Sequence, residues 1–351
     1  MSVSIAAVAK ALPAYTRTTE EILPFVDLWL CGQEDRFRRK VLKIFEGAGV
    51  SRRYSIMDAQ DVFNKTSFQE KNDLFAKAAI ELGGEAMVKA LDKAGWNPTE
   101  VDMLITVSCT GIMIPSLDAY LINELGMAQD VLRLPVTEMG CAAGVSGVIY
   151  AYNFLKANPG KKAAVVAVES PTATFQHDDF SMANLVSAAI FGDGAACVLL
   201  TAESDAKGPE IIGEGMYHFY NATHLMGFSL QNSGLQMILD PSVPEMIATH
   251  FPDIIFPFLE KHGTNIDRLE HLIFHPGGRK IVQTVADLFG SLGKSVEDTR
   301  AVLEDYGNMS SATVLYVLER FLEKDNPPGT QGLMLSFGPG FSAQRVLLEW
   351  N

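Results

Sequence analysis

The stretch VLRLPVTEMGCAAGVSGVIYAYNFLK, residues 131–156, carries the clearest fold signal in the chain. Residues 131–136 form a short apolar run that is typical of a strand buried on both faces. Residues 142–156 then predict a long apolar helix, and the turn TEMGCAAG between the two places Cys141 at the helix N-terminus. A strand, a tight turn and a helix in this order indicate a layered α/β fold.

The same alternation of strands and helices continues on both sides of this stretch. Further strands are predicted at residues 2–9, 101–107, 163–168, 195–201, 270–274, 331–337 and 343–349, and further helices at 278–289 and 309–322. The segment TAESDAKGPE, residues 201–210, is polar and is broken by Gly208 and Pro209. We therefore predict an N-terminal half at residues 1–205 and a C-terminal half at residues 206–351.

The two halves show a weak internal similarity. GCAA at 140–143 and GNMS at 307–310 each open a long apolar helix, and the strand AACVLL at 195–200 echoes AQRVLL at 343–348. Such a repeat indicates two related halves. Coincidence is the alternative, because short apolar strands look alike.

Bulk composition narrows the class of protein. The chain has 351 residues, of which 48% are hydrophobic and 20% charged, which favours a large folded core. Its net charge of −14 makes nucleic acid a poor partner. No apolar run reaches the length of about 18 residues that a membrane span needs, and no signal peptide is evident. The four cysteines form no CxxC pair, which argues against a disulfide framework or a zinc site, so we expect a cytoplasmic enzyme without a bound metal.

Cys141 is the candidate nucleophile. Unpaired N–H groups and the helix dipole at a helix N-terminus favour a thiolate, so the sequence predicts a lowered cysteine pKa. A small buried core residue is the alternative interpretation, since most free cysteines are that. By the same criterion Cys197, inside an apolar strand, is a core residue, whereas Cys109 ends a strand at SCTG and is a candidate cavity residue.

Two further candidates follow Cys141 along the chain. The segment HLIFHPGG delivers His275 to the end of a predicted strand, where sites in α/β proteins form. Asn308 lies in YGNMSSAT near a helix N-terminus, where a plain capping role is the alternative. Each of the three residues sits at a glycine-containing turn before a helix.

Taken together, these motifs resemble a known family. Cysteine, histidine and asparagine in this order are similar to the condensing enzymes of the thiolase superfamily. The motifs GNMSSAT, FGDGAA, HPGG and FGPG, with SRRYSI at 51–56, resemble the type III polyketide synthases, the chalcone synthase family, over nearly the whole chain. The resemblance implies a thiolase fold, an α/β architecture of two similar αβαβα halves in five layers, and an acyltransferase that acts as a homodimer.

The resemblance also implies residue roles. Cys141 would carry the acyl and polyketide thioesters, and His275 would help to hold it as a thiolate. His275 and Asn308 would together bind the thioester oxygen of malonyl-CoA during decarboxylation, which needs oxyanion stabilisation but no metal or redox cofactor. Phe191 would separate the CoA tunnel from the cavity. The remaining implied positions line the cavity or its cyclisation loop: Thr174, Gly234, Ser310, Cys109, Gly338, Pro339 and Gly340.

A basic segment points to the substrate. Residues 36–53 contain seven basic residues and one acid, Glu46, inside an acidic chain. We interpret the segment as a site for the phosphates of CoA, with a solvated helix face as the alternative. Lys40 and Lys43 match CoA-binding positions of the family, Arg53 is a further candidate, and a third family position falls on Gly47.

Two residues depart from the family pattern, and three other classes of protein are alternative interpretations. Ser336 stands where the family usually has glycine, and Ile114 replaces a methionine that reaches the partner subunit's cavity. A papain-like protease also uses Cys, His and Asn, but CGSCW is absent. The initiating condensing enzyme of fatty-acid synthesis shares the fold, but HPGG replaces its His-Gln-Ala-Asn stretch. A non-catalytic thiolase-fold binding protein is the remaining alternative.

The product is the widest open question. We expect a medium- or long-chain fatty acyl-CoA starter that is extended with malonyl-CoA by decarboxylative Claisen condensation to alkylpyrones or alkylresorcinols. The small residues Thr174 and Gly234 and the segment at 171–194 support this expectation. A synthase that uses malonyl-CoA alone to make a tetrahydroxynaphthalene is the alternative, and Cys109 favours it.

Overall fold

The computed structural model describes residues 2–203 and 207–351. The strands in these ranges are β1 (Ser4–Ala11), β2 (Tyr15–Thr18), β3 (Arg52–Ser55), β4 (Met103–Val107), β5 (Leu132–Val136), β6 (Lys162–Glu169), β7 (Gly194–Thr201), β8 (Glu210–His218), β9 (Met226–Gln231), β10 (Gly234–Leu239), β11 (Leu269–Phe274), β12 (Gln331–Gly338) and β13 (Ser342–Glu349). The helices are α1 (Thr19–Trp29), α2 (Asp35–Glu46), α3 (Ala59–Asn64), α4 (Phe68–Ala94), α5 (Leu117–Glu124), α6 (Ala143–Ala157), α7 (Met182–Ile190), α8 (Val243–Lys261), α9 (Arg279–Gly290), α10 (Glu297–Tyr306) and α11 (Thr313–Leu322).

Nine strands line up in the order β11-β12-β13-β8-β1-β7-β6-β4-β5. The strands β1 and β8 pair only at Ser4 and Glu210, so the array divides there into two sheets. In the N-terminal sheet β7 runs antiparallel to both β1 and β6, and β4 runs parallel to β6 and β5. In the C-terminal sheet β13 runs antiparallel to both β8 and β12, and β11 runs parallel to β12.

The two sheets therefore repeat one pattern, and β7 and β13, which carry the similar strands AACVLL and AQRVLL, hold equivalent places in it. The predicted relation between the halves is visible in this topology. The boundary predicted between residues 205 and 206 lies outside the described residues.

Two central helices lie between the sheets. Helix α6 packs against β4 and β6 on one side and against β12 and β13 on the other, and α11 packs against β1, β7, β11 and β12. Helix α4 covers the outer face of the N-terminal sheet. Helices α8 and α9 share a hydrophobic core with the C-terminal sheet. The order helices, sheet, helices, sheet, helices confirms the predicted five-layer α/β arrangement.

The N-termini of the central helices meet at the middle of the molecule. A 3₁₀ turn precedes each of them, Gly140–Ala142 before α6 and Ser310–Ala312 before α11. A Cβ atom at Gly144 would lie 2.2 Å from the Ser311 carbonyl oxygen, so only glycine allows this close approach. The contact brings the turns that carry Cys141 and Asn308 together.

A hairpin that the sequence analysis did not predict covers this meeting point. Strands β9 and β10 pair with each other in a separate two-stranded sheet. Met226 and Phe228 on β9 and Met237 on β10 line the cavities below it. No described helix is long and apolar enough to cross a membrane.

Candidate active site

Cys141, His275 and Asn308 converge as predicted. All three line one cavity that encloses about 420 Å³. Cys141 lies in the 3₁₀ turn after β5, His275 follows β11, and Asn308 lies between α10 and the turn before α11. The N-terminal half thus contributes one catalytic candidate, and the C-terminal half contributes two.

The Cys141 turn is braced from the opposite half. Gly140 has a φ of +51°, and a Cβ atom there would lie 2.6 Å from Cδ of Pro339. The buried Ser336 hydroxyl donates to the Cys141 carbonyl oxygen over 2.7 Å. The departure from glycine at position 336 therefore supplies a hydrogen bond that fixes the backbone of the nucleophile.

The Cys141 thiol is not ionised by its position. Its Sγ atom lies 3.6 Å from Ser310 Oγ, and the enclosing protein raises the pKa of the thiol to about 12 because burial disfavours the thiolate. The predicted lowering of this pKa is therefore wrong for the free enzyme. The physical reason is that desolvation in the closed cavity outweighs the dipole of the helix N-terminus.

His275 is positioned as a neutral base. Its backbone N–H donates to the Leu335 carbonyl oxygen over 2.9 Å, which fixes the residue beside the end of β12. Among the described residues neither ring nitrogen has a hydrogen-bond partner. Burial lowers the pKa of His275 to about 3, so its imidazole is uncharged near neutral pH.

Asn308 lines the catalytic cavity, and two hydrogen bonds hold its amide. Its Oδ1 accepts a hydrogen bond from the Ser310 N–H over 2.8 Å. Its Nδ2 donates to the Gly277 carbonyl oxygen over 3.2 Å, two residues after His275 in the sequence. Met309 holds the N-cap position of the turn before α11, so these bonds orient the Asn308 amide without making Asn308 the cap, and its catalytic role stays a prediction.

A second thiol and a carboxyl group lie behind Cys141. Cys109 Sγ is 3.4 Å from Ser310 Oγ, and it lies 3.6 Å from the nearer carboxylate oxygen of Glu169. Burial raises the pKa of Glu169, although Ser311, Thr110 and the Cys109 N–H donate to it. Ser310, which links both thiols, has a φ of +47°, a conformation that costs energy for a residue with a side chain.

Two more cavities adjoin the first one. A chamber of about 320 Å³ is lined by Cys109, Cys141, Ser310, Pro339 and Phe228, among others. A larger space of about 690 Å³, including its open mouth, lies towards β2 and β3. We call these the catalytic cavity, which contains the three catalytic candidates, the inner chamber and the apolar cavity.

Phe191 and Met237 separate the three spaces, because both residues line all of them. Phe191 is buried at the end of α7, and its backbone pairs with Asn308. Thr174 lines the apolar cavity, where its hydroxyl donates to the Pro171 carbonyl oxygen. The sequence analysis found Phe191 through its motif but had no signal for Met237.

Gly234 does not line any of these three cavities. It lies at the start of β10, where its nearest side chains are those of Phe68 and Gln176. The pairing of Met237 with Phe228 puts those two side chains, rather than Gly234, toward the site. Of the FGPG loop only Pro339 lines the inner chamber, while Gly338 packs against Met139 and Ala142 behind the nucleophile.

The basic segment divides into a surface part and a buried part. Arg36, Arg39, Lys40 and Lys43 are exposed and line one open groove on α2. Arg279 from α9 donates to the Gly47 carbonyl oxygen over 2.9 Å, which brings a guanidinium to the position where the family's third basic residue is missing.

Arg53 has a different environment from these residues. Its buried guanidinium donates to the carbonyl oxygens of Ala188 and Ala189 at the end of α7 and to Thr19. We correct the prediction that it binds CoA, because its donors satisfy a helix C-terminus inside the protein. Within residues 2–203 and 207–351, no three His, Cys, Asp or Glu side chains are grouped so that they could hold a metal ion.

Comparisons with known proteins identify the family. Residues 2–204 match the N-terminal domain of chalcone and stilbene synthases, and residues 217–350 match the C-terminal domain. The chain is 34% identical over 352 aligned residues to a 1,3,6,8-tetrahydroxynaphthalene synthase of Streptomyces peucetius subsp. caesius, which covers 99% of this chain and 93% of that protein. It is 29% identical to a phloroglucinol synthase of Pseudomonas fluorescens, over 86% of each chain.

A solved structure agrees with this result. The crystal structure of 1,3,6,8-tetrahydroxynaphthalene synthase from Streptomyces coelicolor, a bacterial type III polyketide synthase, superposes with a TM-score of 0.93 at 28% identity, over 99% of each chain. The chain belongs to the chalcone and stilbene synthase family. It has the thiolase fold and is a type III polyketide synthase, an acyltransferase that condenses malonyl-CoA without a cofactor.

Proposed function

We propose that this enzyme extends a medium- or long-chain fatty acyl-CoA starter with malonyl-CoA and cyclises the product to an alkylpyrone or alkylresorcinol. One observation supports this proposal above the others. The apolar cavity adjoins the catalytic cavity and is lined largely by apolar side chains, including Ile22, Val62, Phe63 and Phe175. Small-molecule sites are typically concave and lined in this way.

Loading begins at the neutral pair of Cys141 and His275. As Cys141 Sγ attacks the carbonyl carbon of the acyl-CoA, its proton passes to the uncharged imidazole of His275. The thiolate of CoA then leaves and takes up that proton. The acyl group is left as a thioester on Cys141, and the base is restored.

Extension uses the other two groups as donors. The ring N–H of His275 and the Asn308 amide would bind the thioester oxygen of malonyl-CoA, so that its carboxylate can leave as CO₂ and the electron pair can form an enolate. The enolate carbon attacks the acyl carbonyl on Cys141, the carbon–sulfur bond breaks, and the Cys141 thiolate takes up a proton. The 3-oxoacyl chain is then on CoA and returns to Cys141 by a repeat of the loading step. A cavity closed to water strengthens both hydrogen bonds to the developing oxyanion.

The alkyl tail would occupy the apolar cavity. Each methylene that leaves water contributes about 0.8 kcal/mol, so a tail that fills the cavity favours long starters over short ones. Entry requires the tail to pass Phe191 and Met237, which separate the cavity from Cys141.

The nucleotide of CoA would bind outside this passage. Lys40 and Lys43 on α2, together with Arg279 on α9, present exposed cationic groups that suit phosphates. Gly277 and Ile281, on either side of Arg279, line the catalytic cavity, so this surface lies beside its entrance.

A malonyl-only tetrahydroxynaphthalene synthase is the second candidate. Cys109 places a second thiol in the inner chamber, and the similar Streptomyces proteins are named for that product. Such an enzyme would leave the apolar cavity without an occupant, which is why we place this candidate second.

We also propose a cytoplasmic homodimer. All four cysteines are free, which fits a reducing compartment. Strand β5 lies at the edge of the sheet array with Leu132 exposed, and Ile114 is 93% exposed on the same half of the fold. In the family the residue at the position of Ile114 reaches the partner subunit's cavity, so we propose that the exposed Ile114 lies in the dimer interface.

A starter screen tests the function. We expect kcat/KM to rise with acyl-CoA chain length up to at least about ten carbons, because more methylenes are buried. Product mass spectrometry should show alkylated pyrones or resorcinols, with malonyl-CoA alone as the control. A flat profile, together with a naphthalene product from malonyl-CoA alone, would reject the fatty acyl starter and establish the second candidate.

A further inference from the structure

Ser187 on α7 has a buried hydroxyl at the junction of two cavities. The residue lines both the catalytic cavity and the apolar cavity, and it is only 4% exposed. Its Oγ atom has no hydrogen-bond partner among the described residues. His275, whose role requires free ring nitrogens, is the other residue of the catalytic cavity with this property.

A serine in a helix can satisfy its hydroxyl with a carbonyl oxygen of the same helix. The Ser146 hydroxyl on α6 donates to the Ala142 carbonyl oxygen four residues earlier, over 3.0 Å, which is the usual way to satisfy such a group. The Ser187 hydroxyl makes no such bond. In the catalytic cavity the side chains of Ile190, Phe191 and Met237 carry no nitrogen or oxygen atom. The apolar cavity has polar side chains in its wall, among them Arg53 and Asn184, but none of those described bonds to the Ser187 hydroxyl.

A buried hydroxyl without a partner costs free energy unless a ligand supplies one. The chain that would lie at this junction is joined to Cys141 at one end and has its tail in the apolar cavity, an arrangement that rests on the proposed function. After one condensation such a chain carries two oxygens, the thioester oxygen and the 3-oxo oxygen. The thioester oxygen stays near Cys141, so the 3-oxo oxygen is the acceptor that reaches the junction.

We propose that Ser187 is a specificity-determining residue that donates a hydrogen bond to the 3-oxo group of the acyl chain. The enzyme then distinguishes a 3-oxoacyl chain from a saturated chain of equal length. This selection favours continued extension of the once-extended intermediate, and it also makes 3-oxoacyl thioesters better external starters. A site that offers a buried donor discriminates against analogues that lack the acceptor.

The test compares two thioesters of equal length, one 3-oxoacyl and one saturated, in the intact enzyme. The quantity measured is the ratio of their kcat/KM values for extension with malonyl-CoA. We expect Ser187→Ala to lower the ratio about 5- to 10-fold, the net worth of one neutral hydrogen bond. Ser187→Thr should keep most of the preference, and Ser187→Cys, a near-isostere with a weak donor, should give an intermediate ratio.

Ser170 supplies the matched control. Its hydroxyl is also buried and without a partner among the described residues, but Ser170 lines none of the three cavities. Ser170→Ala should leave the ratio unchanged. Circular dichroism and the thermal midpoint show that each variant is folded.

Each outcome separates this inference from the proposed function. If the wild type extends both thioesters and neither Ser187→Ala nor Ser187→Cys changes the ratio, the inference is overturned while the function stands. An equal change in Ser170→Ala would also overturn it. If the wild type acylates Cys141 with neither thioester, the proposed function and this inference fail together.

Discussion

Cys141 and Cys109 share the Ser310 hydroxyl, at 3.6 and 3.4 Å from their sulfur atoms. Within the described part of the chain no cation offsets burial at either thiol, and burial raises the pKa of both. The free enzyme therefore holds Cys141 as a thiol. In the proposed loading step its proton passes to His275.

This protonation state predicts the pH dependence of alkylation. The raised pKa of Cys141 means that the thiolate fraction, and with it the iodoacetamide rate, should keep rising well above the ordinary cysteine pKa of about 8.5. Peptide mass spectrometry can follow Cys141, with the exposed Cys31 of the same chain as a reference. A plateau with a midpoint below about 8.5 would show a thiolate–imidazolium pair in the free enzyme instead.

Separate substitutions should distinguish decarboxylation of malonyl-CoA from polyketide formation. Cys141→Ala should abolish polyketide formation and leave slow decarboxylation of malonyl-CoA, because the two oxyanion donors remain. Asn308→Ala should reduce decarboxylation by about 10²–10³, the usual cost of one such donor. Carbon dioxide release and product formation are measured on the same samples. Product made by Cys141→Ala would disprove the nucleophile, and an unchanged decarboxylation rate in Asn308→Ala would disprove the donor.

Single residues differ in how far the sequence predicts them. Cys141, His275 and Asn308 were predictable because each stands at a glycine-containing turn next to a helix or strand end. Glu169 ends β6 as a lone acid after an apolar run, a signal that was available but not used. Ser187 and Met237 lie inside ordinary helix and strand patterns, so only the packing of α7 against the β9–β10 hairpin reveals them.

At the scale of elements, strands buried on both faces were predicted to within one or two residues. The strands β6 and β7 contain nearly continuous apolar runs, and β12 and β13 contain the shorter apolar runs LML and VLL, so the sequence pattern marks them. The β9–β10 hairpin mixes polar and apolar residues because one face covers the cavities and the other meets solvent. The register of the hairpin places Met237 in the site and Gly234 outside it. This register depends on how the hairpin packs against the rest of the protein, which the local sequence does not show.

Helix α2 presents its basic residues at a helical spacing. Arg36, Lys40 and Lys43 recur every three or four residues and therefore share one exposed face. Lys40→Glu should lower kcat/KM for acyl-CoA about 10- to 150-fold and leave a short thioester without the nucleotide almost unchanged, because it removes a charge-assisted phosphate contact worth about 1.5–3 kcal/mol.

Lys77→Glu is the matched control, since it makes the same charge change on the exposed surface of α4. For both substrates, Lys77→Glu should lower kcat/KM only by the small amount that any added negative charge causes. Equal losses in Lys40→Glu for both thioesters would show that the α2 face is only a solvated surface. Raised ionic strength should also weaken the preference of the wild type for acyl-CoA over the short thioester.

For the whole molecule, the alternation of strands and helices predicted a layered α/β fold with two related halves, and the family resemblance implied its five layers. The sequence did not predict how the two halves pack against each other. Gly144 against Ser311, and Ser336 against the Cys141 carbonyl oxygen, join residues that are more than 160 positions apart. These contacts bring the one catalytic candidate of the N-terminal half and the two of the C-terminal half into a single cavity.

The surface that carries Ile114 predicts the assembly. A stable homodimer buries about 1,200–2,000 Å² of surface, and an apolar side chain that is 93% exposed in one chain would lie inside such an interface. Ile114→Glu should place a charge there and shift the protein from dimer to monomer in sedimentation equilibrium. Leu230→Glu, on the exposed side of β9, is the control with the same change and should remain dimeric. If Ile114 also reaches the partner's site, kcat should fall together with dimer content as the enzyme is diluted. A wild type that sediments as a monomer with full activity would contradict both the homodimer and the contribution of Ile114 to the partner's site.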